Sequence, residues 1–229
     1  MPVWQGLYEE LKDRNFVVIA VALETGGAAT AGEWIRAATP TYPCLIDERH
    51  LVAELYGMVN VNCAVWINEA GRIVRPTESA GASQAFRRHM DRRTYQLSPE
   101  GIADKQLRRR VYLDALRDWA MKGGASRHAL SPDAARERLR APTEEHALAA
   151  ANFRLGQHLH QQGHREAALS YFAEARRLHP ESWNYKRQTW ELEERGKAAG
   201  PEFWAAVDAL GDTPYYPRVE MEGMPPSAG

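Results

Sequence analysis

The chain has 229 residues, 44% of them hydrophobic and 26% charged, with a formal net charge of −1. That is enough apolar material for one large domain or two small ones, and it excludes wholesale disorder. The near-neutral balance gives no general pull toward nucleic acid, no base-reading helix or base-stacking motif is visible, and no run of about 18 apolar residues is present to span a membrane.

Two cysteines, Cys44 and Cys63, are too few for a disulfide framework and are expected as reduced thiols of a cytoplasmic protein. No signal peptide is expected, because no basic stretch followed by an apolar one opens the chain.

Pro2 suits the first turn of a helix, where its missing N–H costs nothing, and Val3, Leu7 and Leu11 share one face, so a helix is predicted to end near Asn15. Residues 16–23, FVVIAVAL, form an unbroken apolar run that predicts a strand buried on both faces. Gly26 and Gly27 open a loop before a helix over 31–38. A second strand is predicted over 41–47, TYPCLID, and a short helix over 51–56.

Val61, Ala64, Val65, Trp66 and Ile67 predict a buried strand, and Asn68 to Gly71 supply a turn in which Gly71 can take positive φ. Ile73 and Val74 return antiparallel. The alternating first half argues for parallel strands joined by right-handed crossovers.

From Ser79 the pattern turns helical. A basic helix is predicted over 85–93, its arginines 87, 88, 92 and 93 forming either a solvated face or an anion patch. Ser98-Pro99-Glu100 starts a helix that ends at Gly123-Gly124, and Ser131-Pro132-Asp133 starts another. Over residues 146–180, Leu155, Gly156, Leu159, Gly163, Ala168, Phe172, Ala175 and Pro180 fall at the spacing of two antiparallel helices. Small residues there allow close approach, and Phe172 fills the seam. His158, His160 and His164 lack supporting ligands, so no metal site is predicted. The tail from Thr213 reads as an extended arm laid on the helical part by Tyr215 and Tyr216.

Two resemblances follow from these residues. The strand VVIAVALE, the Pro-containing strand ending in Ile46-Asp47, the segment AELYG and the hairpin with its Gly turn resemble the thioredoxin-like fold. The branch is the alkyl hydroperoxide reductase/thiol-specific antioxidant group, and the likeness covers about residues 1–76. The spacing over 146–180 resembles one tetratricopeptide repeat, which the helices near 98–123 and 182–195 would cap.

The expected fold class is thus α/β, thioredoxin-like with an incomplete central sheet, followed by an α-helical tetratricopeptide-like region. The expected domains are 1–78 thioredoxin-like, 79–97 a linker helix, 98–210 helical and 211–229 a Pro/Gly-rich tail.

The thioredoxin-like resemblance implies a thiol-disulfide oxidoreductase or peroxiredoxin-like antioxidant acting on a thiol/disulfide protein or a peroxide, in cell redox homeostasis and without a cofactor. In that family the reactive pair sits at a helix N-terminus, which lowers the thiol pKa. The helix starting at Pro2 corresponds to the continuation of that helix. The preceding strand and the redox motif are therefore expected ahead of Met1, in a longer gene product whose relatives include selenocysteine forms.

The resemblance makes Cys63 a resolving thiol or an ordinary strand cysteine, and Glu24 a buried proton acceptor or a solvated loop residue. It places Val61 and Asn62 at the substrate-docking loop. Asn62 stands where the family has a cis-proline; a cis bond before Asn would cost roughly 2.5–4 kcal/mol, so a trans bond is expected. The alternative function is a non-catalytic interaction module whose helical repeat binds a peptide. Open sheet edges would also allow homo-oligomers.

Overall fold

The computed structural model describes residues 2–226. Helix accounts for 54% of the chain and strand for 11%, so helical packing supplies most of the core of a mixed α/β protein. By contact the chain separates into two units, each drawn from two stretches: residues 1–61 with 140–203, and 62–139 with 204–229.

In the first unit, α1 (Pro2–Leu11) buries Leu7 and Leu11 and ends in a single 3-10 turn that Asn15 closes with φ 55°. Strand β1 (Ala20–Leu23) pairs in parallel with β2 (Cys44–Asp47), and α2 (Gly27–Ala38) makes the crossover. The expectation of a strand buried on both faces over 16–23 needs correction. Only four residues are strand, and Val17 and Ile19 are 55% and 57% exposed. Val17 and Ile19 precede the ladder, which begins at Ala20, and the sheet they lead into is only two strands wide. The second strand is likewise shorter than expected, beginning at Cys44 rather than Thr41.

The helical part of this unit is α3 (Leu51–Leu55), α7 (Glu144–Gln161), α8 (Arg165–Leu178) and α9 (Trp183–Glu193). Thr143 caps α7, and Gly163 takes φ 83° in the turn to α8, a conformation open to glycine at no cost. The seam between α7 and α8 is well packed: Ala149, Phe153, Ala168, Phe172, Ala175 and Leu178 are buried together with Tyr185 of α9. Gly156 is obligatory there, because a Cβ would lie 2.6 Å from the Phe172 ring. The antiparallel helical pair over 146–180 thus forms as predicted. On its C-terminal side α9 packs against it. The helix expected as the other cap, 98–123, belongs to the second unit.

In the second unit, β3 (Cys63–Ile67) and β4 (Ile73–Ser79) form the predicted antiparallel hairpin. Asn68 organises its turn, accepting through Oδ1 from the amides of Ala70 (3.1 Å) and Arg72 (2.9 Å), and Gly71 has φ 70°. Pro76 is tolerated in β4 because that strand is an edge.

The helix predicted over 85–93 is corrected to one turn, α4 (Phe86–His89), followed by the small hairpin β5 (Met90–Asp91) and β6 (Gln96–Leu97). Asp91 is the cause: its carboxylate accepts from the amides of Arg93 (2.8 Å) and Thr94 (3.2 Å), a local alternative to helical bonding. Two of the four arginines are already engaged. Arg87 donates to the carbonyls of Gly211 and Thr213, and Arg92 pairs with Asp208 at 2.5 Å while covering the Trp204 ring.

Helix α5 (Pro99–Lys122) begins at the predicted Ser98 cap and α6 (Pro132–Arg138) at Ser131. Helix α10 (Pro201–Asp208) follows in sequence.

The tail is an extended arm, as expected, but it lies on elements of the second unit. Tyr215 donates its amide to Gln84, Ser79 donates to the Pro217 carbonyl, and Arg108 of α5 donates to the carbonyls of Pro225 and Pro226. Among the described residues the strands make three separate two-stranded sheets.

Candidate functional site

The first unit contains a cleft of about 340 Å³ beyond the C-terminal ends of the parallel pair. Crevices beyond the carboxyl ends of parallel strands are where α/β sheets commonly receive ligands. One wall is Leu23 and Glu24 from the end of β1, Thr30 of α2, His50, Asn60 and Val61. The other is the face of α9 that carries Trp183, Asn184, Arg187, Gln188 and Glu191. Residues 184, 187, 188 and 191 recur at helical spacing, so one face of α9 supplies all four.

A buried polar network fixes this wall to the strand ends. Gln188 Oε1 accepts from the Thr25 amide (3.2 Å) and from His50 Nε2 (3.2 Å). Because that oxygen is an acceptor, the neutral His50 ring carries its proton on Nε2. Gln157 of α7 donates to Thr25 Oγ1 (2.6 Å) and to the Glu48 carbonyl (2.9 Å), bridging the segments that follow β1 and β2.

The start of α9 is anchored in the same way. Its first amides, Trp183 and Asn184, both donate to the Val59 carbonyl (2.7 and 3.1 Å). Ser182 caps Tyr185, and Asn184 Nδ2 donates to the Met58 carbonyl (2.5 Å). Helix starts expose amides that need such partners.

His50 is the most perturbed group at the site. Burial pushes its pKa down to about 4, against smaller raising effects from Gln188 and Asp47. The ring packs edge-on against Phe153 at 4.9 Å, and its Nδ1 is buried without a partner, as is Asn184 Oδ1. His50 is therefore a neutral structural donor at neutral pH rather than a proton shuttle.

Three charged side chains line the opening. Glu24 is half-buried and accepts from the Gly26 amide (2.8 Å). Glu191 accepts from Gly196. Arg187 lies over the Phe203 ring at 5.3 Å and makes no ion pair among the described residues.

Of the four site residues expected from the sequence, Glu24 and Val61 line this cleft. Asn62 and Cys63 begin the second unit. Asn62 has φ 60°, and no peptide bond among the described residues is cis. Cys63 is a half-buried thiol at the first position of β3. Cys44 sits in β2 with its pKa raised by burial, which disfavours the thiolate.

Sequence reasoning missed His50, Gln157 and Gln188. Gln157 and Gln188 stand on the buried faces of α7 and α9, and His50 stands just before α3; nothing in their local sequence distinguishes them from solvated polar residues.

No family model, no curated protein and no solved structure matches this chain.

Proposed function

We propose that this protein is a binding module that takes an extended polypeptide segment in the cleft of its first unit, with a thioredoxin-like α/β part as scaffold and the tetratricopeptide-like helical pair as support. The observation that carries this reading is the anchored face of α9. A preorganised wall with apolar, hydrogen-bonding and charged groups at fixed spacing loses little freedom on binding. Arg187, without a carboxylate partner, is the group on that wall best suited to hold an acidic side chain or a chain terminus. Strand β1 has a second edge outside its ladder with β2, to which an extended segment can add main-chain bonds.

A phage-displayed peptide library panned on the full chain tests this. Enriched peptides are expected to bind wild type and to lose about tenfold or more on Arg187→Glu, the size of one charged contact. Absence of enrichment, or equal binding by the variant, contradicts it.

A second reading, thiol-disulfide or peroxide reduction in redox homeostasis, draws on the place of Cys63 next to the unusual backbone of Asn62. Its weakness is chemical. Reactive thiols are favoured at helix N-termini or beside cations, whereas both thiols of this chain lie in strands, one with a raised pKa. Dithiol-dependent insulin and peroxide reduction is therefore expected near background. Turnover that Cys63→Ser abolishes would establish the redox reading instead.

A further inference from the structure

His146, His179 and Glu181 come together at the open end of the α7–α8 pair, the end opposite the Gly163 turn. His146 is the third residue of α7, His179 follows the last residue of α8, and Glu181 lies in the turn to α9. His146 Nε2 is 3.1 Å from Glu181 Oε1, His179 Nε2 is 3.7 Å from the same carboxylate oxygen, and one nitrogen or oxygen from each residue lies within 4.8 Å of the others. The two imidazoles are stacked at 4.0 Å with 15° between their planes, so a shared ion requires one ring to turn about its χ2 until its in-plane lone pair meets the ion.

The capping of α7 accounts for His146, whose Nδ1 accepts from the Thr143 amide at 3.5 Å. It does not account for His179. Both ring nitrogens of His179 are buried and neither has a hydrogen-bond partner. A neutral imidazole must carry one N–H, and here nothing accepts it.

We propose that these three residues form a site for one divalent transition cation of the zinc class. His146 and His179 would ligate through imidazole nitrogen and Glu181 through carboxylate oxygen, with solvent completing the shell. A tetrahedral ion with bonds of about 2.0–2.1 Å sets its ligands about 3.3 Å apart, between the two separations to Glu181. Two neutral imidazoles and one carboxylate are a donor set that zinc accepts, and the exposed Glu181 leaves an entry path. The ion would clasp the start of α7 to the end of α8 one residue before Ser182, the cap of α9.

The test is isothermal titration of the full, chelator-stripped chain with Zn²⁺, and Co²⁺ absorption as a geometric probe. Expected are one equivalent bound and visible Co²⁺ bands of tetrahedral intensity. His146→Gln removes a ligand while keeping a residue that completes the same cap. It and Glu181→Gln are expected to weaken binding by about 30-fold or more, with unchanged melting of the metal-free forms. His158→Gln and His164→Gln, outside the cluster, should bind as wild type. No binding at millimolar cation, equal affinity in His146→Gln and Glu181→Gln, or loss confined to His158→Gln or His164→Gln would overturn the proposal.

Discussion

Arg75→Ala is expected to destabilise the second unit by about 3–5 kcal/mol, the usual cost of stranding one partner of a buried ion pair. Arg75 is only 2% exposed, yet its guanidinium is fully engaged. Nε and Nη2 meet the Glu78 carboxylate at 2.7 and 2.6 Å, Nη1 donates to the His128 carbonyl (2.9 Å), and Nη2 donates to the Glu220 carbonyl (3.1 Å). The plane also lies 5.3 Å from the Trp66 ring. Truncation takes the guanidinium away from a largely buried carboxylate and two carbonyls in a single step.

Native-state hydrogen exchange of the β3 and β4 amides reads this locally, without requiring the whole chain to unfold together. A double variant, Arg75→Met with Glu78→Gln, removes the stranded charge and should recover more than half of the loss. If Arg75→Ala costs under about 1 kcal/mol, the pair is a surface-type contact and its role in holding the tail is refuted.

Acid should weaken the first unit through His50. Its pKa falls from 6.5 to about 4 in the folded protein. The unfolded chain therefore binds more protons between these values, and stability is lost as pH drops through that window. The contribution is complete above pH 6.5 and amounts to about 3 kcal/mol at 1.4 kcal/mol per pKa unit.

Urea unfolding of wild type and His50→Gln over this range isolates the effect. Carboxylates and the other histidines contribute to both proteins and cancel in the difference. The wild type should lose about 3 kcal/mol more than the variant between pH 7 and pH 4. A difference that stays flat with pH would mean that His50 is not buried in its neutral form.

Much of the architecture was legible wherever local chemistry and tertiary packing agree. Ser98 and Ser131 announce helix starts because a hydroxyl acceptor followed by proline satisfies the first amides and costs none. Asn68 and Gly71 announce the hairpin for equally local reasons. The α7–α8 pair was readable because Gly156 and Phe172 must face each other.

The misses share a different cause. The basic stretch after Ala85 has good helix formers, but Asp91 offers its carboxylate to two following amides and turns the chain. The exposure of Val17 and Ile19, just before β1, depends on what packs over them, which an unbroken apolar run does not encode. The cleft was half legible. Glu24 and Val61 were singled out through the thioredoxin-like resemblance, whereas Gln157 and Gln188 matter through partners more than a hundred residues away.

In the proposed reading, ligands enter the first unit between the end of β1 and α9. Backbone chemical-shift mapping of the isotope-labelled chain, titrated with a peptide enriched by panning, tests this most directly. Shifts are expected to concentrate at Leu23, Glu24, Thr25, Val61 and the α9 residues from Trp183 to Glu191, with matching attenuation in Arg187→Glu. Shifts confined to α5, β4 or the Tyr215–Met224 arm, with the α9 amides unmoved, would contradict it.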